Sequence, residues 1–332
     1  MEEQEMTLRE ALNLALDQAL QADDRVFLLG EDIADPGASG PTAGLSTKYG
    51  HDRVLDTPIS EAAIVGAAIG AAIDGLLPVA EIMIMDFIGI AADQLINNAA
   101  KLRFMTAGRT TAPITIRTQV YAGLATGATH SQSLEAWFMH IPGMKVIVPS
   151  TPRDGKGLLT TAIFDEDPCL FVETIRLQGR KGPVPVDPGF AIPLGEADIK
   201  RPGTDVSLIC YGRAVHDALA AAANLAEQGV SAEVVDLRTL LPLDVDTIVE
   251  SGRRTGRVVI VHDAVQFAGP GAEIAAILSS RLFGELAAPV ERVGARFVPN
   301  PAAASLEAQV YPSPARIVAA AQYTLEKANA HG

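Results

Sequence analysis

The chain is poor in cysteine, tryptophan and positive charge. Its two cysteines, Cys169 and Cys210, sit in apolar strand-like runs without the paired spacing of a zinc or redox motif, which suits a reducing compartment. Lys and Arg number 26 against 40 Asp and Glu, a net charge of −14 over 332 residues. That balance argues against nucleic acid or an anionic membrane surface as a partner. No uncharged run reaches the roughly 20 residues that cross a bilayer. The start Met1-Glu2-Glu3-Gln4-Glu5 is acidic, unlike a secretory or organellar leader, so a cytoplasmic location is expected. Several chemistries are missing as motifs. There is no Gly-x-x-x-x-Gly-Lys-Ser/Thr phosphate loop and no Gly-x-Ser-x-Gly elbow. Gly66 and Gly70 lie in an apolar helical run, and Gly269-Pro270-Gly271 lacks the third glycine of a dinucleotide fingerprint. The six histidines are scattered without metal-ligand spacing.

What remains is a chain that is 48% hydrophobic and 20% charged, able to bury a large core and long enough for two domains. Helical periodicity at residues 7–22, with Thr7 as a cap, precedes the short apolar strand 26–30. Strands are expected at 78–85, 113–118, 145–148 and 169–174, and helices at 61–73, 90–105, 135–140 and 154–164. A loop rich in Gly, Pro, Ser and Thr at 35–46 is long for a plain connection. Alternating strand and helix imply a mostly parallel sheet covered on both faces. Between 177 and 193 the composition turns to Gly, Pro and basic residues, as in a linker. A second α/β set follows, with strands at 206–210, 232–237, 257–262 and 290–293. The expected division is a first domain at 1–176, a linker at 177–193 and a second domain at 194–332.

The stretch Thr57-Pro58-Ile59-Ser60-Glu61 opens a helix in which twelve uncharged residues separate Glu61 from Asp74. Apolar on every side, it is expected to be buried all round. Pro58 keeps Thr57 out of the helix and Ser60 is a good N-cap. Glu61 then has two readings: a first-turn acid balancing the helix dipole, or a carboxyl group held out of water so that it exchanges a proton with a ligand. Phe87 ends a strand and alone reads as core. His130 closes a Gly-rich loop, residues 122–129, and alone reads as a loop histidine. Open parallel sheets bind ligands outside the carboxyl ends of their strands, where these three residues fall.

At this point the sequence resembles a family. Thr57-Pro58-Ile59-Ser60-Glu61, Asp93-Gln94, Ala99-Ala100-Lys101, His130-Ser131-Gln132, Ile141-Pro142-Gly143-Met144-Lys145-Val146 and Asp154-Gly155-Lys156-Gly157-Leu158 are similar to the beta subunits of the thiamine-diphosphate-dependent decarboxylase component of 2-oxo acid dehydrogenase complexes. The match continues through Asp236-Leu237-Arg238-Thr239-Leu240-Leu241-Pro242 and Leu306-Glu307, over nearly the whole chain. The resemblance implies an α/β fold of two domains, a transketolase-like pyrimidine-binding parallel-sheet domain followed by a transketolase C-terminal-like domain. Glu61 would hydrogen-bond a pyrimidine-ring nitrogen of thiamine diphosphate and promote the tautomer that deprotonates the thiazolium. Phe87 and Ile90 would line the cofactor pocket. His130 would orient substrate and assist acyl transfer to lipoamide. Ile114, Ala162, Ile163, Asp165 and Asp167 fall where some members bind a structural potassium ion.

The Gly-Asp-Gly motif that holds Mg²⁺ and the cofactor diphosphate in such enzymes is missing. Asp74-Gly75 with Asn97-Asn98 imitates it, but Ile73 replaces the first glycine. The resemblance therefore implies an alpha subunit that supplies this half in an α2β2 heterotetramer, and a lipoyl-bearing dihydrolipoamide acyltransferase as the further partner. Asp86-Phe87-Ile88-Gly89 and Ile116-Arg117-Thr118 are closer to acetoin dehydrogenase beta subunits than to pyruvate ones. Pyruvate, a branched 2-oxo acid and acetoin all stay open as substrates. Two other readings remain: the C-terminal half of a split transketolase, and a catalytically silent assembly subunit.

Overall fold

The computed structural model describes residues 2–34 and 40–329, with side chains to residue 327, so residues 35–39 of the loop expected at 35–46 lie outside the described residues. Contacts divide the chain into two units, Met1–Tyr121 with Trp137–Leu194, and Ala122–Ala136 with Gly195–Gly332. The Gly-rich loop expected at 122–129 in the first domain, with the residues up to Ala136, thus groups with the second unit.

In the first unit, six strands are hydrogen-bonded in the order Lys145–Ile147, Cys169–Thr174, Thr115–Val120, Leu77–Ile84, Val26–Gly30 and Val54–Asp56, every pair parallel. The register runs Leu28 to Val79, Val79 to Thr115 and Thr115 to Cys169. These strands are mostly apolar because both faces of the sheet are covered, with Glu81, Arg117 and Glu173 as buried exceptions. Thr7 caps the helix Leu8–Ala22 in a reciprocal capping box with Glu10. Leu8, Leu12, Leu16 and Leu20, spaced by four, place one stripe in the core, packed with the helix Pro152–Ile163. Gly155 permits that approach, since a Cβ there would collide with Leu8 Cδ1. Burying each leucine contributes about 1.5–3 kcal/mol.

Three expectations are corrected in this unit. The helix Glu61–Ile73 is not buried all round: Ile64, Val65, Ala68, Ile69 and Ala72 are inside, while Ala63, Ala67, Gly70 and Ile73 are exposed. An apolar run reports apolar surface, not which chain covers it. The helix expected at 90–105 is helical from 92 to 105 but winds as a π turn over Gln94–Ala99 before the α-helix Ala100–Met105, and a 3-10 turn at Met85–Gly89 precedes it. The stretch read as a linker contains the strand Lys181–Pro185, which pairs antiparallel with Glu3–Thr7, Gln4 opposite Val184. Ladder hydrogen bonds do not depend on side-chain pattern, so a Gly- and Pro-rich composition conceals such a strand.

In the second unit, strands run in the order Glu291–Ala295, Val258–Val265, Val206–Cys210, Ala232–Asp236 and Asp198–Arg201, parallel except for the last. Val215, Ala218, Ala222 and Leu225 of the helix Ala214–Ala226 pack on this sheet together with Ile317 and Ala321 of the helix Pro314–Asn329. No helix among the described residues is long and apolar enough to cross a membrane.

Candidate active site

Glu61 begins its helix where the preceding chain leaves the sheet: Thr57 N–H donates to the Gly30 carbonyl at 2.9 Å. Ser60 occupies the N-cap position with an extended φ of −165°, yet its side chain makes no capping bond. Its carbonyl does the work instead, accepting from Ala63 N and Ile64 N, both at 2.9 Å. Glu61 is only 5% exposed, at the positive end of the helix dipole. Glu31, at the end of the strand Val26–Gly30, lies within electrostatic reach of it. Burial first, then the charges of Glu61 and Asp32, raise the Glu31 carboxyl above its ordinary range, against a hydrogen bond from the Ser60 backbone that lowers it. Two carboxyl groups in different environments, one at a strand end and one at a helix start, thus stand within electrostatic reach of one another. The sequence placed Glu31 at a strand end but gave it no role.

Glu31 also lines a cavity of about 500 Å³ together with Asp32, Glu81, Gln119, Tyr121 and Gln178. Glu81 and Gln178 join it to a buried charge network. The Arg117 guanidinium stands 2.7 Å from Glu81 and 2.6 Å from Glu173, and Gln178 Nε2 donates to Glu173 at 2.7 Å. Burial followed by Glu81 and Glu173 raises the Tyr121 hydroxyl above its ordinary pKa. Glu61, Phe87 and Ile90 do not line this cavity. Phe87 is half-buried in the 3-10 turn, where its carbonyl accepts from Ile90 N at 2.9 Å; Ile90 is 59% exposed. Gly66 of the Glu61 helix faces Gln94, whose side chain accepts from Asn98 Nδ2 at 3.2 Å. A larger apolar cavity, about 880 Å³ around Phe104, Pro142 and Met144, contains none of the carboxyl pair.

His130 belongs to the second unit. Its loop holds Gly123, Ala125 and Gly127 at φ of 83°, 56° and 85°. His130 Nδ1 is 3.0 Å from Thr129 Oγ1, and Thr126 Oγ1 donates to the His130 carbonyl at 2.9 Å. The imidazole is half-buried.

The five residues carried over for potassium meet competing partners. The Ile114 carbonyl accepts from Cys169 N at 2.9 Å, and the Ala162 carbonyl accepts from Thr115 Oγ1 at 3.0 Å and Asp165 N at 3.3 Å. The Asp165 carboxylate is held by Lys145 at 2.6 Å and that of Asp167 by Arg103 at 2.7 Å. Ile163 is buried at the helix end. The set thus offers an ion backbone carbonyls rather than free charge, and Ala162 would have to exchange a protein partner for it. Asp74 caps the end of the Glu61 helix, and Asn97 and Asn98 bond back to Asp93 and Gln94. Among the described residues no group of three His, Cys, Asp or Glu is placed to hold a metal ion.

Residues 4–179 match the transketolase pyrimidine binding domain and residues 195–317 the transketolase C-terminal domain. The chain is 48% identical to the acetoin:2,6-dichlorophenolindophenol oxidoreductase subunit beta of Cupriavidus necator, over 97% of this chain and 98% of that one. It is 46% identical to the pyruvate dehydrogenase E1 component subunit beta-2, mitochondrial, of Oryza sativa subsp. japonica, over 96% and 86%. It is 42% identical to the 2-oxoisovalerate dehydrogenase subunit beta of Bacillus subtilis, over 95% and 97%. A solved structure titled split gene transketolase, inactive beta4 tetramer, shares the fold at a TM-score of 0.78 and 24% identity, covering 97% of this chain and 99% of that one. With two transketolase-type domains in sequence and relatives this similar along their length, the chain belongs to the family of beta subunits of the first, E1, component of 2-oxo acid and acetoin dehydrogenase complexes.

Proposed function

We propose that this chain is the beta half of a thiamine-diphosphate-dependent enzyme that cleaves a 2-oxo acid or acetoin and passes the acyl group to lipoamide. The observation that carries this reading is the carboxyl pair at the head of the Glu61 helix, within a domain of the pyrimidine-binding family. A buried carboxyl group beside a second one of raised pKa suits a ring nitrogen that must be protonated and released near neutrality. When bound, the cofactor supplies the electron sink for cleavage beside a carbonyl. Glu61 holds the proton at the ring nitrogen, and Glu31, its carboxyl raised above the ordinary range, stands within electrostatic reach. Phe87 and Ile90 supply apolar surface to the ring. His130 offers an imidazole to the substrate and to the acyl transfer.

Mg²⁺ and the cofactor diphosphate fall to an alpha subunit in an α2β2 assembly, with a lipoyl-bearing dihydrolipoamide acyltransferase as acceptor and the cytoplasm as location. The exposed small-residue face of the Glu61 helix, Ala63, Ala67 and Gly70, gives such a subunit a surface of close approach. Potassium at Ile114, Ala162, Ile163, Asp165 and Asp167 is part of the same proposal. So is the division of labour between a pyrimidine-binding domain ending near residue 176 and an association domain from 194.

The test is co-expression with the alpha chain and a comparison of acetoin, pyruvate and 3-methyl-2-oxobutanoate as substrates for lipoamide acylation. Turnover of any one by the assembly, and of none by the beta chain alone, is expected. Sugar-phosphate turnover instead would move the chain to transketolase chemistry. Acetoin is the favoured substrate on the local residues Asp86-Phe87-Ile88-Gly89 and Ile116-Arg117-Thr118, and the identity of 48% to an acetoin relative supports it.

A further inference from the structure

The loop that carries His130 has little regular structure of its own, yet it adopts a backbone that must be held. Ala125 sits at φ 56°, a left-handed conformation that a non-glycine residue leaves unless its surroundings fix it. The restraint comes from a segment nearly two hundred residues away in sequence. Glu307, 2% exposed, accepts from Gly123 N with one carboxylate oxygen at 3.0 Å and from Ala125 N with the other at 2.6 Å. Asn300 Nδ2 and Tyr311 Oη both donate to the Ser131 carbonyl, at 3.0 and 2.9 Å, and so use both of its lone pairs. The loop is therefore tied on either side of His130, at 123 and 125 before it and at 131 after it. Arg316 in turn fixes the tail, donating to the Tyr311 carbonyl at 2.8 Å and to Gly294 of the strand Glu291–Ala295 at 2.9 Å.

We propose that Glu307 is a positioning residue for His130: its carboxylate, clamped on the amides of Gly123 and Ala125, sets the loop backbone that aims the imidazole. Two backbone N–H groups converging on one anion form a small nest, and charge-assisted bonds of this kind are among the stronger ones. Glutamine in its place keeps one acceptor and loses the charge; alanine loses both bonds and leaves two amides to find new partners. The function of the clamp rests on the assignment of His130 to the acyl-transfer step, whereas the clamp itself does not.

Two measurements separate these. Hydrogen–deuterium exchange on the full chain compares wild type, Glu307→Gln and Glu307→Ala in the segment 122–131. Alanine is expected to speed exchange by about tenfold or more, with glutamine between the two, as befits the loss of bonds in this class. Unchanged protection in both variants overturns the clamp. Where Glu307→Ala fails to fold, Glu307→Gln and Tyr311→Phe carry the comparison.

The second measurement uses the chain assembled with its alpha subunit. His130→Ala and Glu307→Ala are each expected to lower kcat for lipoamide acylation by about tenfold or more, with KM for the substrate changing less than twofold, and the double variant is expected to be no slower than the slower single one. Multiplying losses would overturn positioning through His130. A fully active His130→Ala would remove the acyl-transfer role and, with it, the proposed action of Glu307 on catalysis, whatever the exchange experiment finds about the clamp.

Discussion

The charge of Glu61 is, after burial, the largest influence holding the Glu31 carboxyl above its ordinary range. The two residues reach this relationship from different elements, one at a strand end and one at the head of a helix. Removing the charge at Glu61 therefore has a readable effect at Glu31. In Glu61→Gln the Glu31 carboxyl should titrate closer to the ordinary glutamate value of 4.5, followed by carboxyl ¹³C NMR. A Glu31 titration indifferent to the substitution would show that the carboxylates are not electrostatically coupled.

The buried Arg117 network yields a stability prediction. Arg117→Met leaves Glu81 and Glu173 without their shared cation, and Glu173 is fully buried. Breaking a buried ion pair by removing one partner costs about 3–5 kcal/mol. Urea unfolding of the chain should show a loss of that order. A variant as stable as the parent would mean that the carboxyl groups simply take up protons at little cost.

A third prediction concerns pH and the second unit. Burial, aided by the charge of Asp263, pushes the Glu135 carboxyl up to about 7. The folded state holds a proton that the unfolded chain, at 4.5, has released, so this contribution to stability is lost as pH rises from 4.5 through 7. Burial moves His262 the other way, to about 4, so its contribution is lost as pH falls from 6.5 towards 4. The two slopes oppose one another between pH 4.5 and 6.5. Glu135→Gln removes only the first, so it should match the parent near pH 4.5 and exceed it above pH 7 by on the order of 3 kcal/mol. Thermal or denaturant midpoints at the two ends of this range decide it. A constant offset across pH would mean that Glu135 titrates normally.

Potassium can be tested without turnover. An ion bound through the carbonyls around Ile114 and Ala162 stabilises the folded state by mass action, about 2.7 kcal/mol at a hundredfold excess over its dissociation constant. Exchanging Na⁺ for K⁺ at equal ionic strength should raise the thermal midpoint. Identical midpoints would leave the neutralisation of Asp165 and Asp167, among the described residues, to Lys145 and Arg103.

Much of the fold was legible in the sequence because its strands are buried on both faces. Val26–Gly30, Cys169–Thr174 and Val206–Cys210 stand at the bounds that their apolar runs imply. What stayed hidden depends on partners distant in sequence. Lys181–Pro185 becomes a strand only because Glu3–Thr7 lies beside it, and no periodicity within the segment signals that. In the candidate site, Glu61 and His130 could be singled out from their local settings, a helix start and a Gly-rich loop. Glu31 and Glu307 could not, since each acquires its role from a residue elsewhere in the chain: Glu61 for one, Gly123 and Ala125 for the other.

The central claim is that Glu61 exchanges a proton with the bound cofactor, and the most direct measurement follows that proton. Wild-type and Glu61→Gln chains, each assembled with the alpha subunit and thiamine diphosphate, are compared by quenched-flow NMR for exchange of the thiazolium proton. Glutamine keeps the size and one hydrogen bond but removes the titratable group, so exchange should slow by about 10²–10⁴-fold while the assembly still forms and binds cofactor. Equal exchange rates in the two assemblies would contradict the assignment and leave Glu61 as an acid that balances the helix dipole.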